Sequence, residues 1–338
     1  MSIEFPAGPV SAVFSAARLA ANHGQNFFIS DRVFPVYYSD RQTEAILSVD
    51  ATDASRKATD DERAPGAPAN RVVFPHQFET PFRAKHHTHT EKLPFENIVT
   101  GNPTLDQINT IERRAVRIAN VLKLNKEKSA IAALNAISGS RKEPMESKVN
   151  DDSAGSTPIS EIVSKLDMGG IVANAVVMGP RTFRTLRRHP EVQAEILGGG
   201  GSTAENRTQD YVRQAMSEII GANIITPQWT LVENTASFGA NPSYSRLWDD
   251  FIALLYIDDP SLQTASATSA VVWAPTMPDE AQPQVGVRDS DGWQVLLMPM
   301  VEDDFSSRLN VGQYYEMKVL KPNHILLLED PFLPPNGD

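Results

Sequence analysis

Residues 174–192 read NAVVMGPRTFRTLRRHPEV, a buried strand followed directly by a short helix. The run Ala175–Met178 has no polar interruption, which is typical of a strand covered on both faces. PRTFRTLRR has helical character, and it ends at His189-Pro190 because proline cannot continue a helix. A strand that leads at once into a helix predicts the start of an α/β unit.

The segments that follow extend this unit. TQDYVRQAMSEIIG is a helix with a glycine stop, and NIITP and WTLVEN are rich in strand formers. Upstream of residue 174, Pro158 begins a helix that carries Ile159, Ile162, Val163 and Leu166. The remaining apolar segments are mostly predicted strands: DDFIALLYID, SAVVWAP, GWQVLLMPM, QYYEMKVL and HILLLED.

A long helix is predicted within residues 103–137. Its apolar residues recur at three- and four-residue steps and form one stripe: Leu105, Ile108, Ile111, Ala115, Ile118 and Leu122. A helix of about 30 residues is about 45 Å long, which suits a structural spine.

Residues 36–93 read as a two-stranded arm with a polar tip. From Asp40 to Asn70 the sequence is polar and acidic and ends in Pro65, Gly66 and Pro68, a composition that cannot build a core alone. Residues 138–158 form a polar linker without periodicity.

The overall composition excludes several functions. The chain has 338 residues, a formal net charge of −11 and no cysteine, so it forms no disulfide and has no thiolate ligand. The net negative charge argues against a surface that binds nucleic acid tightly. No apolar run approaches the roughly 20 residues of a membrane span, and the N-terminus does not read as a secretory signal.

The segment KHHTHTEKL, residues 85–93, raises the possibility of a metal-dependent enzyme, since it holds three of the seven histidines. In a strand His87 and His89 share one face and His86 takes the other. Two ligands are too few for a tight zinc site, and the chain has no HExxH and no GxSxG motif. The glycine-rich LGGGGSTAEN lacks the lysine of a phosphate-binding loop. We therefore expect no enzyme activity, no metal and no cofactor.

Three stretches resemble the major capsid proteins of tailed bacteriophages, in the same order along the chain. ERAPGAPANRVVF (62–74) is similar to the turn and following strand of their extended loop, and NAVVMGPRTFRTLRRHPEV to the heart of their axial domain. SRLWDDFIALLYI (245–257) is similar to the strand that closes that domain. YYEMKVLKPNHILLLEDPF resembles their last strands.

The resemblance implies an α+β fold of the Hong Kong 97 type, with five segments. These are an N-terminal arm (1–35), an extended β-hairpin loop with flanking strands (36–93), a peripheral domain with the spine helix (94–155), an α/β axial domain (156–275), and a return to the peripheral domain with the C-terminal strands (276–338). The histidine segment then lies on the strand that leads out of the loop, as a solvent- or neighbour-facing strand.

The function implied is a virion shell protein, assembled in the cytoplasm of a bacterial host. It forms hexamers and pentamers with itself in an icosahedral or prolate shell around double-stranded DNA, which it touches only weakly. Expected partners are a separate scaffolding protein, because the N-terminal segment is too short to be a built-in scaffolding domain, a portal protein and a decoration protein, with no membrane. Candidate inter-subunit contacts are Arg63, Pro65, Gly66 and Arg71. An encapsulin-type nanocompartment is the alternative.

Overall fold

The computed structural model describes the chain in thirteen segments. They are residues 28–48, 77–78, 81–94, 103–153, 155–168, 172–197, 208–228, 230–234, 241–260, 263–273, 285–288, 292–301 and 306–333. The candidate contacts Arg63, Pro65, Gly66 and Arg71 lie outside these segments.

The described α-helices are numbered in chain order. They are α1 (Ser30–Val33), α2 (Pro103–Asn135), α3 (Pro158–Met168), α4 (Pro180–Arg188), α5 (Pro190–Leu197) and α6 (Gln209–Ile220). The helix α2 is the predicted spine, and its bounds agree with the sequence-based range to within two residues.

The described strands are numbered in the same way. They are β1 (Val36–Ser39), β2 (Thr43–Glu44), β3 (Leu47–Ser48), β4 (Gln77–Phe78), β5 (Phe82–Arg83), β6 (Lys85–Pro94), β7 (Lys142–Pro144), β8 (Ala175–Met178), β9 (Asn223–Ile225), β10 (Val232–Asn234), β11 (Tyr244–Arg246), β12 (Phe251–Leu255), β13 (Gln263–Thr264), β14 (Thr268–Trp273), β15 (Val285–Arg288), β16 (Trp293–Val301), β17 (Ser306–Val319) and β18 (Ile325–Glu329).

The first large sheet is built around β17. Strand β6 runs antiparallel along one edge of β17, while β16 and β14 lie end to end along the other edge. Strand β15 extends the sheet beyond β16, and β1 pairs in parallel with β14. The spine helix α2 packs on this sheet through its predicted apolar stripe. The buried members of that interface include Ile111, Ala115, Ile118, Leu122, Leu93, Val295, Leu309 and Val311.

The second large sheet has the strand order β7-β18-β12-β8-β9. All five residues of β12 are buried, and they alternate between two cores. Phe251, Ala253 and Leu255 pack with the C-terminal half of α2, while Ile252 and Leu254 pack with the helices α3 to α6. A sheet covered on both faces explains why β8, β12 and β18 are uninterrupted apolar runs in the sequence.

The strand pairing crosses the segment boundaries expected at 155/156 and 275/276. Strands β7 and β18 complete the sheet of β8 and β12, although both lie outside residues 156–275. Strand β14, which lies inside that range, belongs to the first sheet. The physical reason is that an apolar run indicates how deeply a strand is buried, while its partners are set by long-range packing.

In the part of the chain that the structure describes, no helix combines the length and apolarity that crossing a membrane requires.

Candidate assembly surfaces

The base of the extended loop is held by short antiparallel strand pairs. Strand β2 pairs with β5, and β3 pairs with β4, so the two flanks of residues 49–76 lie side by side. Ile46 and Phe82 are fully buried at this base, in a small cluster with Val271 and Leu320. This pairing agrees with the predicted two-stranded arm at its base, and the rest of the arm lies outside the described residues.

Two contacts fasten the base of the loop to β17. The backbone N–H of Arg83 donates to Glu316 Oε2 at 2.6 Å, and Lys318 Nζ donates to the carbonyl oxygen of Pro81 at 2.8 Å. A buried cluster and these hydrogen bonds anchor the arm at its root independently of its tip. The described residues on both sides of 49–76 are therefore fixed to the rest of the subunit.

The three clustered histidines lie on β6 and contact their own chain. His86 stacks on Tyr314 with ring centroids 4.2 Å apart, and His87 stacks on Tyr315 at 4.0 Å. Tyr314 and Tyr315 are consecutive residues of β17, so the two histidines occupy opposite faces, as predicted. Partial burial lowers the pKa of both His86 and His87.

The face that carries His87 and His89 is turned toward the spine helix. His89 Nε2 lies 3.4 Å from the amide nitrogen of Asn125, and Glu91 pairs with Arg114, both on α2. His87 is half-buried against Tyr315 of its own subunit, whereas His86 and His89 are exposed. Among the described residues no three His, Asp or Glu side chains are placed to hold a metal ion.

A buried carboxylate joins three parts of the chain at the middle of the spine helix. Glu127 is 0% exposed; its Oε1 accepts the backbone N–H of Ser30 at 2.7 Å, and its Oε2 accepts the indole N–H of Trp248 at 2.6 Å. Removal of this carboxylate from water raises the pKa of Glu127 to about 7, although both hydrogen bonds favour the charged form.

Asp249, the residue that follows Trp248, contacts the N-terminus of α4. Asp249 is buried, and its Oδ1 accepts the backbone N–H of Arg181 at 3.0 Å, at the N-terminus of α4. Burial raises the pKa of Asp249. A Cβ at Gly179 would lie 2.1 Å from Asp249 Oδ1 and 2.6 Å from the carbonyl oxygen of Trp248. The close approach of these backbones therefore requires glycine at position 179.

The outer face of α4 borders a cavity of about 720 Å³, which we call the arginine groove. The charged residues of its described lining are Arg181, Arg184, Arg187, Arg188, Arg246 and Asp152. Four of these arginines come from one helix, and Arg246 comes from β11. The groove concentrates positive charge on a chain whose net charge is −11.

Comparison with known proteins bears on the fold. No family model matches the sequence, and no curated protein matches it. Among solved structures, a phage-related protein from Bordetella bronchiseptica RB50 is similar with a TM-score of 0.66 at 16% identity, over 94% of this chain and 97% of that one. A candidate capsid protein of a prophage of E. coli CFT073 is similar with a TM-score of 0.56 at 12% identity, over 95% and 98%.

The chain has the Hong Kong 97-type fold. The α+β fold class predicted from the sequence is confirmed, because both similarities extend over almost the whole of each chain. At these identities the likeness concerns the fold alone.

Sequence reasoning found some of these surfaces and missed others. It identified the histidine strand and the Trp248-Asp249 stretch, but it gave no role to Glu127. The signal available for Glu127 was weak, since one acidic residue in a polar helix face is ordinary. The basic stripe of α4 was visible in PRTFRTLRR, whereas the contribution of Arg246 depends on the fold.

Proposed function

We propose that this chain is the major capsid protein of a tailed bacteriophage. Copies assemble as hexamers and pentamers into an icosahedral or prolate shell that encloses double-stranded DNA, with the virion as its location. The observation that carries the proposal is a Hong Kong 97-type fold shared along the chain with a phage-related protein and a candidate prophage capsid protein. The role is structural and not enzymatic.

The extended loop is the proposed contact between neighbours. Its base is anchored by Ile46 and Phe82, while residues 49–76 connect the two flanks. A heterologous contact repeated around a ring closes a capsomer without self-complementary patches. Arg63, Pro65, Gly66 and Arg71 are the residues that we propose for this contact. A separate scaffolding protein, a portal protein and a decoration protein are further proposed partners.

The acidic charge suits a shell that packs DNA without binding it tightly. Each phosphate contact made by Lys or Arg adds to affinity, and the many copies in a shell would multiply that effect. With a net charge of −11, we expect the shell as a whole to hold its DNA by confinement.

The test is expression of the full-length chain with and without a scaffolding protein, followed by sedimentation and electron microscopy. We expect closed shells with the scaffold, and capsomers or irregular assemblies without it. Particles purified from infected or induced cells should contain double-stranded DNA. Particles that instead enclose a protein cargo would indicate the nanocompartment alternative, and a strictly monomeric chain under every condition would contradict both.

A further inference from the structure

The arginine groove has a charge that the shell role does not require. Among the residues that the structure describes, five arginines and one aspartate line it and give an excess of four positive charges, on a chain with eleven more acidic than basic residues. A solvated helix face on an acidic protein ordinarily mixes both signs. A cavity with one dominant sign raises the local concentration of oppositely charged ligands.

The helix α4 separates its apolar and basic residues cleanly. Thr182, Phe183 and Leu186 are buried in the core beneath it. Arg181, Arg184 and Arg188 follow at three- and four-residue steps on the exposed side. Their spacing aligns the three guanidinium groups along one edge of the groove.

Two of the arginines are oriented by neutral partners. Arg184 Nε donates to the carbonyl oxygen of Pro180 at 3.0 Å, and Arg184 Nη2 donates to Thr230 Oγ1 at 2.7 Å. The guanidinium carbon of Arg181 lies 4.1 Å from the ring centroid of Phe332. These contacts restrict the two side chains, so less conformational entropy is lost when an anion binds.

The opposite wall of the groove is also fixed. His189 Nε2 lies 2.9 Å from the carbonyl oxygen of Asp151, and Asn150 Oδ1 accepts the backbone N–H of Leu333 at 2.7 Å. The segment that carries Asn150 and Asp152 is therefore tied both to the end of α4 and to the C-terminal residues of the described chain.

Acidic residues lie within the groove and beside it: Asp152 is part of its lining. A neighbouring cavity shares Arg181 and Arg246 and is lined in addition by Asp249, Asp250 and Asp330. Arg184, Arg187 and Arg188 line the first cavity alone.

We propose that the arginine groove binds phosphate groups. Guanidinium forks match the geometry of phosphate oxygens, and a phosphate carries more charge per group than a carboxylate. A volume of about 720 Å³ admits a small polyphosphate or a short stretch of nucleic-acid backbone. The two sources share one chemistry, and separate probes distinguish them. The proposal does not depend on shell assembly.

The experiment is titration calorimetry of the full-length chain at low ionic strength with two probes, sodium pyrophosphate and a short single-stranded DNA. The groove variant is Arg184→Gln with Arg188→Gln. Its matched control is Arg113→Gln with Arg117→Gln, two exposed residues of α2 with the same spacing and the same charge change. We expect the groove variant to weaken binding of at least one probe by about tenfold or more, since charge-assisted hydrogen bonds are lost, and the control to change it less than about twofold.

The outcomes separate the alternatives. Binding of pyrophosphate alone assigns the groove to small anions, and groove-dependent binding of DNA assigns it to the nucleic-acid backbone. Absence of binding by both probes, or equal weakening in groove and control variants, overturns the proposal. Citrate that binds as tightly as pyrophosphate would assign the groove to carboxylates and overturn it too. Circular dichroism checks the fold of each variant, and Arg188→Gln alone replaces the double variant if that one unfolds.

Discussion

The indole N–H of Trp248 donates a 2.6 Å hydrogen bond to Glu127 Oε2, across 121 positions of sequence. The bond links the spine helix to the turn that begins β12. Trp248 has a φ of 68°, a left-handed conformation that is unfavourable for a residue with a Cβ. Its side chain is only 1% exposed and its ring lies 6.1 Å from that of Phe251, so packing and the hydrogen bond together maintain the strained backbone.

Replacing Trp248 with phenylalanine should remove that hydrogen bond while keeping an aromatic ring in the core. We expect a loss of about 1–3 kcal/mol in the free energy of unfolding, because a buried carboxylate loses a donor. Chemical denaturation of unassembled subunits measures it. The matched control is Trp273→Phe, whose indole donates to the carbonyl of Asp40 at 3.2 Å in an exposed setting. Equal losses in the two variants would contradict a special role for Trp248.

The stability of the subunit should depend on pH through Glu127. Burial raises its pKa from 4.5 to about 7, so between these values the folded state binds more protons than the unfolded state. This contribution to stability is therefore complete below about pH 4.5 and is lost as the pH rises through 7. Nearby charges are Asp31, which also raises the pKa of Glu127, and Lys126, whose Nζ lies 2.6 Å from Asp31 Oδ1.

Glu127→Gln removes this titration and should flatten the pH profile between pH 5 and 7 by roughly 2 kcal/mol. The variant should also be less stable overall, since its amide cannot accept both hydrogen bonds. The measurement is denaturant unfolding at a series of pH values on both proteins. Parallel profiles for the two proteins would show that Glu127 does not titrate in this range.

Alanine at position 179 should be strongly destabilising. Its Cβ would meet Asp249 Oδ1 and the backbone oxygen of Trp248 at distances that real structures do not show, and backbone cannot move aside easily. We expect a loss of about 3 kcal/mol or failure to fold. Gly139→Ala is the control, because no atom of the described residues lies within 4 Å of the position that its methyl group would take, and it should change stability by less than about 1 kcal/mol. A Gly179→Ala protein with a wild-type melting temperature would refute the packing described for this turn.

The histidine strand should not require metal. Each of His86 and His87 stacks on a tyrosine of β17, so both rings have a packing partner within the subunit and need no metal to hold them. Replacing His86, His87 and His89 with glutamine should leave assembly intact and lower the melting temperature only modestly. Elemental analysis of untagged protein should find no stoichiometric zinc, nickel or copper. One tightly held metal per subunit would revive the enzyme alternative.

Local patterns were enough to predict the elements of the fold. The apolar stripe through Ile111, Ala115 and Ile118 predicts the spine helix, and the apolar runs of β8 and β12 predict strands covered on both faces. Each of these patterns is contained in one short stretch of sequence. Within such a stretch, the spacing of the apolar residues indicates directly which side chains are buried.

Partners distant in sequence could not be predicted. Glu127 owes its burial to Ser30 and Trp248, which lie 97 and 121 positions away. The pairing of β18 with β12 depends on the same long-range packing. The arginine groove combines a stripe visible in α4 with Arg246, whose position follows only from the complete fold.

Shell formation through the extended loop is best tested by sedimentation velocity of the full-length chain beside a variant in which residues 50–75 are replaced by a short Gly/Ser linker. The loop base keeps Ile46 and Phe82, and closure entropy varies slowly with length, so the variant should fold with nearly unchanged far-ultraviolet circular dichroism. With scaffold present, we predict closed shells from the full-length chain and only unassembled or fragile products from the variant. Normal shells from the variant, or an unfolded variant subunit, would contradict the role proposed for the loop.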